Sequence, residues 1–150
     1  HFFLRAESFY NLATYMDQFP LEYMGGYGYK SLHARSHGES FMTLLTTKFR
    51  GHGLYLLDEP EAALSPARQL AAIAAIHRLV EAESQFIIAT HSPILLAYPR
   101  AKIIHFDGAG LTEMAYEDTE HYVVTRDFLN NYRKHLGILT SDRHGADRLE

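Results

Sequence analysis

The chain has 150 residues, 47% of them hydrophobic, a formal net charge of -4 and neither cysteine nor tryptophan. This length buries the core of one domain rather than two, and the lack of cysteine excludes a disulfide framework and suits a reducing cytoplasm. The acidic balance argues against chain-wide attraction to nucleic acid while leaving room for a local patch, no run reaches the ~18–20 apolar residues of a membrane span, and residues 1–13 carry no signal-peptide pattern.

In chain order, Phe2 to Glu7 reads as a strand. Phe9, Leu12, Met16 and Phe19 then fall at helical spacing before Pro20 stops the helix. Gly25-Gly26-Tyr27-Gly28-Tyr29-Lys30-Ser31 is rich in turn formers, yet Met24 and Tyr29 stand where a phosphate-binding loop needs glycine. Such a loop cradles phosphates with backbone N–H groups and a lysine in the pattern Gly-x-x-x-x-Gly-Lys-Ser/Thr, which the chain does not contain. The segment therefore reads as a connector. His33 and His37 have the spacing of helical metal ligands, but Arg35, Ser36 and Gly38 place them in a loop running into a helix start, and no Cys-x-x-Cys accompanies them.

Ser36-His37-Gly38-Glu39-Ser40 opens an amphipathic helix marked by Phe41, Leu44, Leu45 and Phe49. A helix start offers free N–H groups and a positive dipole end to an anion such as phosphate. Ser36 and Glu39 are equally spaced as a capping box, which satisfies the same groups without a ligand. Next, Gly53 to Asp58 reads as a buried parallel strand delivering Asp58 and Glu59 at its C-terminal end, where open α/β sheets bind ligands. Two adjacent carboxylates there suit a metal ion or a proton transfer, or simply cap a turn. Ser65 and Pro66 form the N-cap and first residue of a helix carrying Leu70, Ile73, Ile76 and Val80 to about Glu81.

Gln85 to Thr90 repeats the buried-strand pattern and ends on His91, a side chain suited to holding a phosphate oxygen or orienting a water near neutral pH. The alternative is a loop histidine ahead of a short helix, Pro93 to Tyr98, that Ser92 caps. Lys102–Phe106 and Leu111–Tyr116 read as a hairpin around Asp107-Gly108-Ala109-Gly110. Glu117, Asp118, Glu120 and His121 form an acidic cluster of the kind that usually faces solvent. Thr125 is expected to cap a last helix through about Leu136, with a frayed polar tail over 140–150.

The alternation of strands and helices gives an α/β class with a mostly parallel sheet flanked by helices, a short C-terminal hairpin, and one domain over residues 1–150. On Asp58-Glu59-Pro60-Glu61-Ala62-Ala63-Leu64-Ser65-Pro66 followed by Thr90-His91-Ser92-Pro93, the chain resembles the C-terminal part of an ABC-type P-loop ATPase domain. It is most similar to soluble members of the chromosome-maintenance and DNA-repair type and to a bacterial group of uncharacterised predicted ATPases. The resemblance spans Phe2 to Tyr132. It implies ATP and Mg2+ as ligands, with Ser36 to Ser40 at the signature motif, Leu54 to Glu59 at Walker B, Glu61 to Ser65 at the D-loop and His91 at the switch histidine.

In that resemblance Asp58 holds the magnesium shell, Glu59 activates water and His91 senses the γ-phosphate. Ser36 and Gly38 reach the nucleotide of a second protomer, so an ATP-dependent homodimer is expected of the full-length protein. Arg35, His37 and Glu39 depart from the usual signature Leu-Ser-Gly-Gly-Gln, and Ser65 replaces the usual D-loop aspartate. Glu7 stands where a Q-loop glutamine is usual; it either accepts from a metal-bound water or complements the following helix dipole. With Walker A absent, the sequence looks N-terminally truncated and inactive alone. The competing reading is a nonhydrolytic interaction or dimerisation module that docks on a complete ATPase.

Overall fold

The computed structural model describes residues 2–5, 37–108 and 110–141. The chain divides into two compact units, residues 1–101 and 102–150. The first contains strand β1 (Phe2–Arg5), helix α1 (His37–Thr47), strand β2 (Leu54–Asp58), a 3-10 turn (Pro60–Ala63), helix α2 (Pro66–Glu81), strand β3 (Gln85–Ala89) and the single-turn helix α3 (Pro93–Leu96). The expected helix over residues 9–19 and the connector before Ser36 lie outside the described residues.

The three strands form one parallel sheet in the order β1-β2-β3. Its register aligns Phe2, Tyr55 and Phe86 across one row and Leu4, Leu57 and Ile88 across the next, all on the same face. Against that face pack Phe41, Leu44 and Leu45 of α1 and Ala72, Ala75 and Ile76 of α2, together with Phe49 and Leu64. Helical spacing put these apolar side chains on one side of each helix, and burial of that side is what holds the helices to the sheet. Phe49 stacks on Tyr55 with ring centroids 4.0 Å apart, and Tyr55 stacks on Phe86 at 5.0 Å.

Burying Tyr55 also buries its hydroxyl, which must find partners. Arg50 supplies both: its N–H donates to the hydroxyl at 2.7 Å and its carbonyl accepts from it at 2.7 Å. The ring lies so close to Gly53 that a Cβ there would sit 2.4 Å from it. Only glycine fits before this strand.

The sequence pattern marked β2 and β3 as buried strands, and here the structure differs. β2 alternates buried and half-buried residues, and β3 alternates half-buried and exposed ones. The reason is geometric: among the described residues of this unit, α1 and α2 both sit on the Leu4 and Leu57 face. The opposite row, Phe3, Leu56 and Ile87, leaves Phe3 and Ile87 largely in solvent.

The second unit contains an antiparallel hairpin of β4 (Ile103–Asp107) and β5 (Gly110–Met114), a 3-10 turn (Tyr116–Asp118) and helix α4 (Glu120–Leu139). Gly110 has φ 129°, a conformation open to glycine, and its N–H donates to Asp107 Oδ1 at 3.2 Å. The cap of the last helix is Thr119, not Thr125: the buried Thr119 hydroxyl accepts from Tyr122 N and donates to Tyr116 O. Tyr116 packs on Tyr122 just inside the helix, fixing the chain's entry. Of the acidic cluster, Glu117 and Asp118 lie in the 3-10 turn and Glu120 in the first turn of α4, where a carboxylate complements the positive end of the helix. At Asn131 the helix bends (φ -127°, ψ 23°), and the Asn131 amide reaches the Asp127 carbonyl and carboxylate.

None of the described helices is long and apolar enough to cross a membrane. The α/β class with a parallel sheet, flanking helices and a C-terminal hairpin is the architecture observed. Because Leu57 is 2% exposed at the centre of the sheet and Leu129 is 65% exposed on α4, their truncations should separate cleanly. Leu57→Ala is expected to lower the unfolding free energy by about 2–5 kcal/mol, against about 0.5 kcal/mol or less for Leu129→Ala, measured by urea titration.

Candidate functional site

Parallel pairing of β2 with β3 sets the site. Asp58 lies opposite Ala89 at the C-terminal ends of the two strands, so the residues that follow each strand emerge side by side. Glu59 comes next with φ 48° and ψ 50°, a left-handed conformation that a non-glycine residue adopts only when its surroundings enforce it. One enforcing contact is the bond from Glu59 N to Ala89 O at 2.9 Å, which prolongs the sheet by one rung. Pro60, almost fully buried, then starts the 3-10 turn.

Across from Glu59, His91 brings Nε2 to 3.7 Å from Glu59 Oε1. That is ion-pair range, longer than a direct hydrogen bond, and both side chains are more than half exposed. The carboxylate and the imidazole therefore face each other at the C-terminal end of the sheet, both reached by solvent.

A second carboxylate holds this edge together. Glu61, in the 3-10 turn, accepts from the Thr90 hydroxyl through Oε2 at 2.7 Å and from the His91 N–H through Oε1 at 2.6 Å. The Thr90 oxygen accepts in turn from Ser92 N at 3.0 Å. Ser92 caps α3, its hydroxyl accepting from Ile94 N and Leu95 N while donating to Gln69 Oε1. Gln69, buried on α2, closes the circuit by donating from Nε2 to Leu64 O at 3.0 Å. Two ties thus join the turn after β2 to the segment after β3. Sequence reasoning placed Glu61 in the D-loop but gave it no task and passed over Gln69, because their partners lie 29 and 23 residues away and no spacing rule reveals such contacts.

Ser65, Glu39 and Gly38 gather around the start of α2. Ser65 is its N-cap, accepting from Arg68 N at 3.4 Å, as its position before Pro66 predicts. Glu39 meets the Arg68 guanidinium at 3.1 Å. Gly38 is buried in the first turn of α1, where a Cβ would come within 2.7 Å of both Ala63 O and Arg68 Nη1. Glu7 and Ser36 lie outside the described residues, as does His33.

No group of three or more His, Cys, Asp or Glu residues is poised to hold a metal ion among the described residues. Magnesium does not require one, since it usually takes one or two carboxylates and completes its shell with water and phosphate oxygens. The hard oxygen donor at Asp58, at a strand end beside Glu59, fits that pattern.

A family model described as "AAA domain, putative AbiEii toxin, Type IV TA system" matches residues 21–97, just over half of the chain. No curated protein and no solved structure gives a match.

Gly38→Ala weighs two opposing effects. Alanine favours a helix by about 1 kcal/mol over glycine, but this one must displace the Ala63 carbonyl, and overpacking of that kind costs about 1–3 kcal/mol. The clash should win: a lowered thermal midpoint is expected, and an unchanged or raised one would show that the turn yields freely.

Proposed function

Since the chain belongs to this family of AAA domains, a nucleotide-binding, ATPase-like class, we propose that it supplies the acidic and histidine half of an ATP-hydrolysing site in an ABC-type ATPase. The observation that carries this reading is the opposition of Glu59 and His91 at the end of adjacent parallel strands, with Asp58 beside them. Asp58 would hold magnesium, which when bound shields the charge of the β- and γ-phosphates. Glu59 is the general base: its carboxylate faces solvent and accepts a proton from a water placed in line with the γ-phosphate. His91 donates from its ring to a γ-phosphate oxygen.

Glu7 and Ser65 belong to the same proposal, Glu7 as acceptor from a magnesium-bound water and Ser65 at the D-loop position. Ser36, Gly38 and Glu39 are assigned to the nucleotide of a second protomer. Two copies closing over two nucleotides would give a symmetric dimer held by charge-assisted bonds from both sides. The phosphate loop, absent from these 150 residues, has to come from elsewhere in the working ATPase.

The test uses a polypeptide that joins this chain to such a loop. Glu59→Gln keeps the shape and removes the base, so turnover should fall by about 10²- to 10⁴-fold with Mg-ATP binding retained. Static light scattering of the same variant should show mass doubling on Mg-ATP. Unchanged turnover removes Glu59 from the chemistry, and a persistent monomer at saturating nucleotide removes the composite site.

A second reading of the same residues is a nonhydrolytic module that docks on a complete ATPase. Both readings expect the isolated chain to bind Mg-ATP poorly, and calorimetric titration yielding micromolar affinity would contradict both. They part at Glu59→Gln: the module's docking on its ATPase partner is indifferent to that change, whereas hydrolysis is not.

A further inference from the structure

Glu61 commits both of its carboxylate oxygens to the segment that follows β3. Oε2 takes the Thr90 hydroxyl at 2.7 Å and Oε1 takes the His91 N–H at 2.6 Å, so a single planar group grips two consecutive residues at the end of β3. The grip is directional. The Thr90 hydroxyl donates its hydrogen to the carboxylate while its oxygen accepts from Ser92 N, and the His91 N–H is held on the other carboxylate oxygen with the His91 imidazole 3.7 Å from Glu59. Through the 3-10 turn, Glu61 is also two residues from Ala63, whose carbonyl packs against Gly38 at the start of α1. The Gln69 bridge from Leu64 O to Ser92 runs beside this link and ties the same two segments.

The geometry points to Glu61 as a positioning residue: its carboxylate carries the placement of the turn after β2 onto His91, and so sets the Glu59 to His91 gap on which catalysis depends. This rests on the reading of Glu59 and His91 as the catalytic pair. A carboxylate suits the task better than an amide. It accepts at both oxygens with charge-assisted bonds, whereas the glutamine amide has one neutral acceptor: set on the His91 N–H, it leaves an NH2 that the Thr90 hydroxyl can meet only by turning its own hydrogen away from residue 61. A misplacement of about 1 Å at a reacting group costs up to about 100-fold in rate, so a loosened His91 should be visible in kcat.

A double-mutant cycle on turnover, in the polypeptide carrying a phosphate loop, separates positioning from plain stability. Glu61→Gln and Thr90→Val should each lower kcat by about 10- to 100-fold with KM for Mg-ATP changed by less than about threefold. Thr90→Ser, which keeps the hydroxyl, should restore turnover to within about threefold of the parent enzyme. In a His91→Ala background, Glu61→Gln should have no further effect, because a residue acting through His91 has nothing left to place. Additive losses in that background, or a fall in binding with kcat intact, overturn the positioning role while leaving the hydrolytic reading standing. Should His91→Ala and Glu59→Gln themselves leave turnover unchanged, the hydrolytic reading falls, and the role of Glu61 falls with it.

Discussion

Everything at the candidate site depends on the parallel pairing of β2 with β3 in a register that sets Asp58 opposite Ala89. A shift by one residue would exchange the two faces of β2, sending Tyr55 and Leu57 out of the core and leaving the Tyr55 hydroxyl without Arg50. The register is thus held from the far end of the strand by packing. The same alignment decides, at the near end, that Glu59 N finds Ala89 O and that the 3-10 turn lies within reach of Thr90 and His91. Core and site are two ends of one constraint.

The left-handed backbone at Glu59 costs on the order of 1–3 kcal/mol, and something must hold it. Glu59 N to Ala89 O fixes the residue before the turn, Pro60 fills a buried slot after it, and Glu61 anchors the next residue but one through two bonds to a charged group. Hydrogen bonds to charged groups contribute about 1.5–3 kcal/mol each when shielded, and half-burial lowers that figure here. Even discounted, the anchors match the strain in magnitude. The conformation persists because residues on both sides of it are tied, and its effect is to aim the Glu59 carboxylate away from the sheet and toward His91.

Much of this was legible in the sequence for a definite reason. Helix α2 was readable from Ser65-Pro66 to Glu81 because both a cap and an apolar period mark it, and β2 and β3 because glycine, proline and serine bracket short apolar runs. Asp58, Glu59 and His91 could be named because strand ends in a parallel sheet are where such groups converge. Local chemistry failed at α4, where Thr125 is followed by the stronger apolar period but Thr119 has the hydroxyl contacts with Tyr116 and Tyr122. It also failed at β3: an apolar run says that a strand prefers burial, not that helices cover both faces, and Ile87 is exposed because α1 and α2 chose the other one. Glu61 and Gln69 were invisible because their partners are set by tertiary pairing alone.

The helix start at Gly38 carries two demands that bear on each other. Within the chain, Gly38 admits the Ala63 carbonyl, and Glu39 is turned onto Arg68. The Glu39 carboxylate and the Arg68 guanidinium lie 3.1 Å apart, and so exposed a pair adds little stability while fixing the direction of the Glu39 side chain. Arg68, the partner of Glu39, is a residue of α2 whose own N–H is capped by Ser65. The two ends meet in the same few residues: the start of α1 rests on the turn that Glu61 ties to His91.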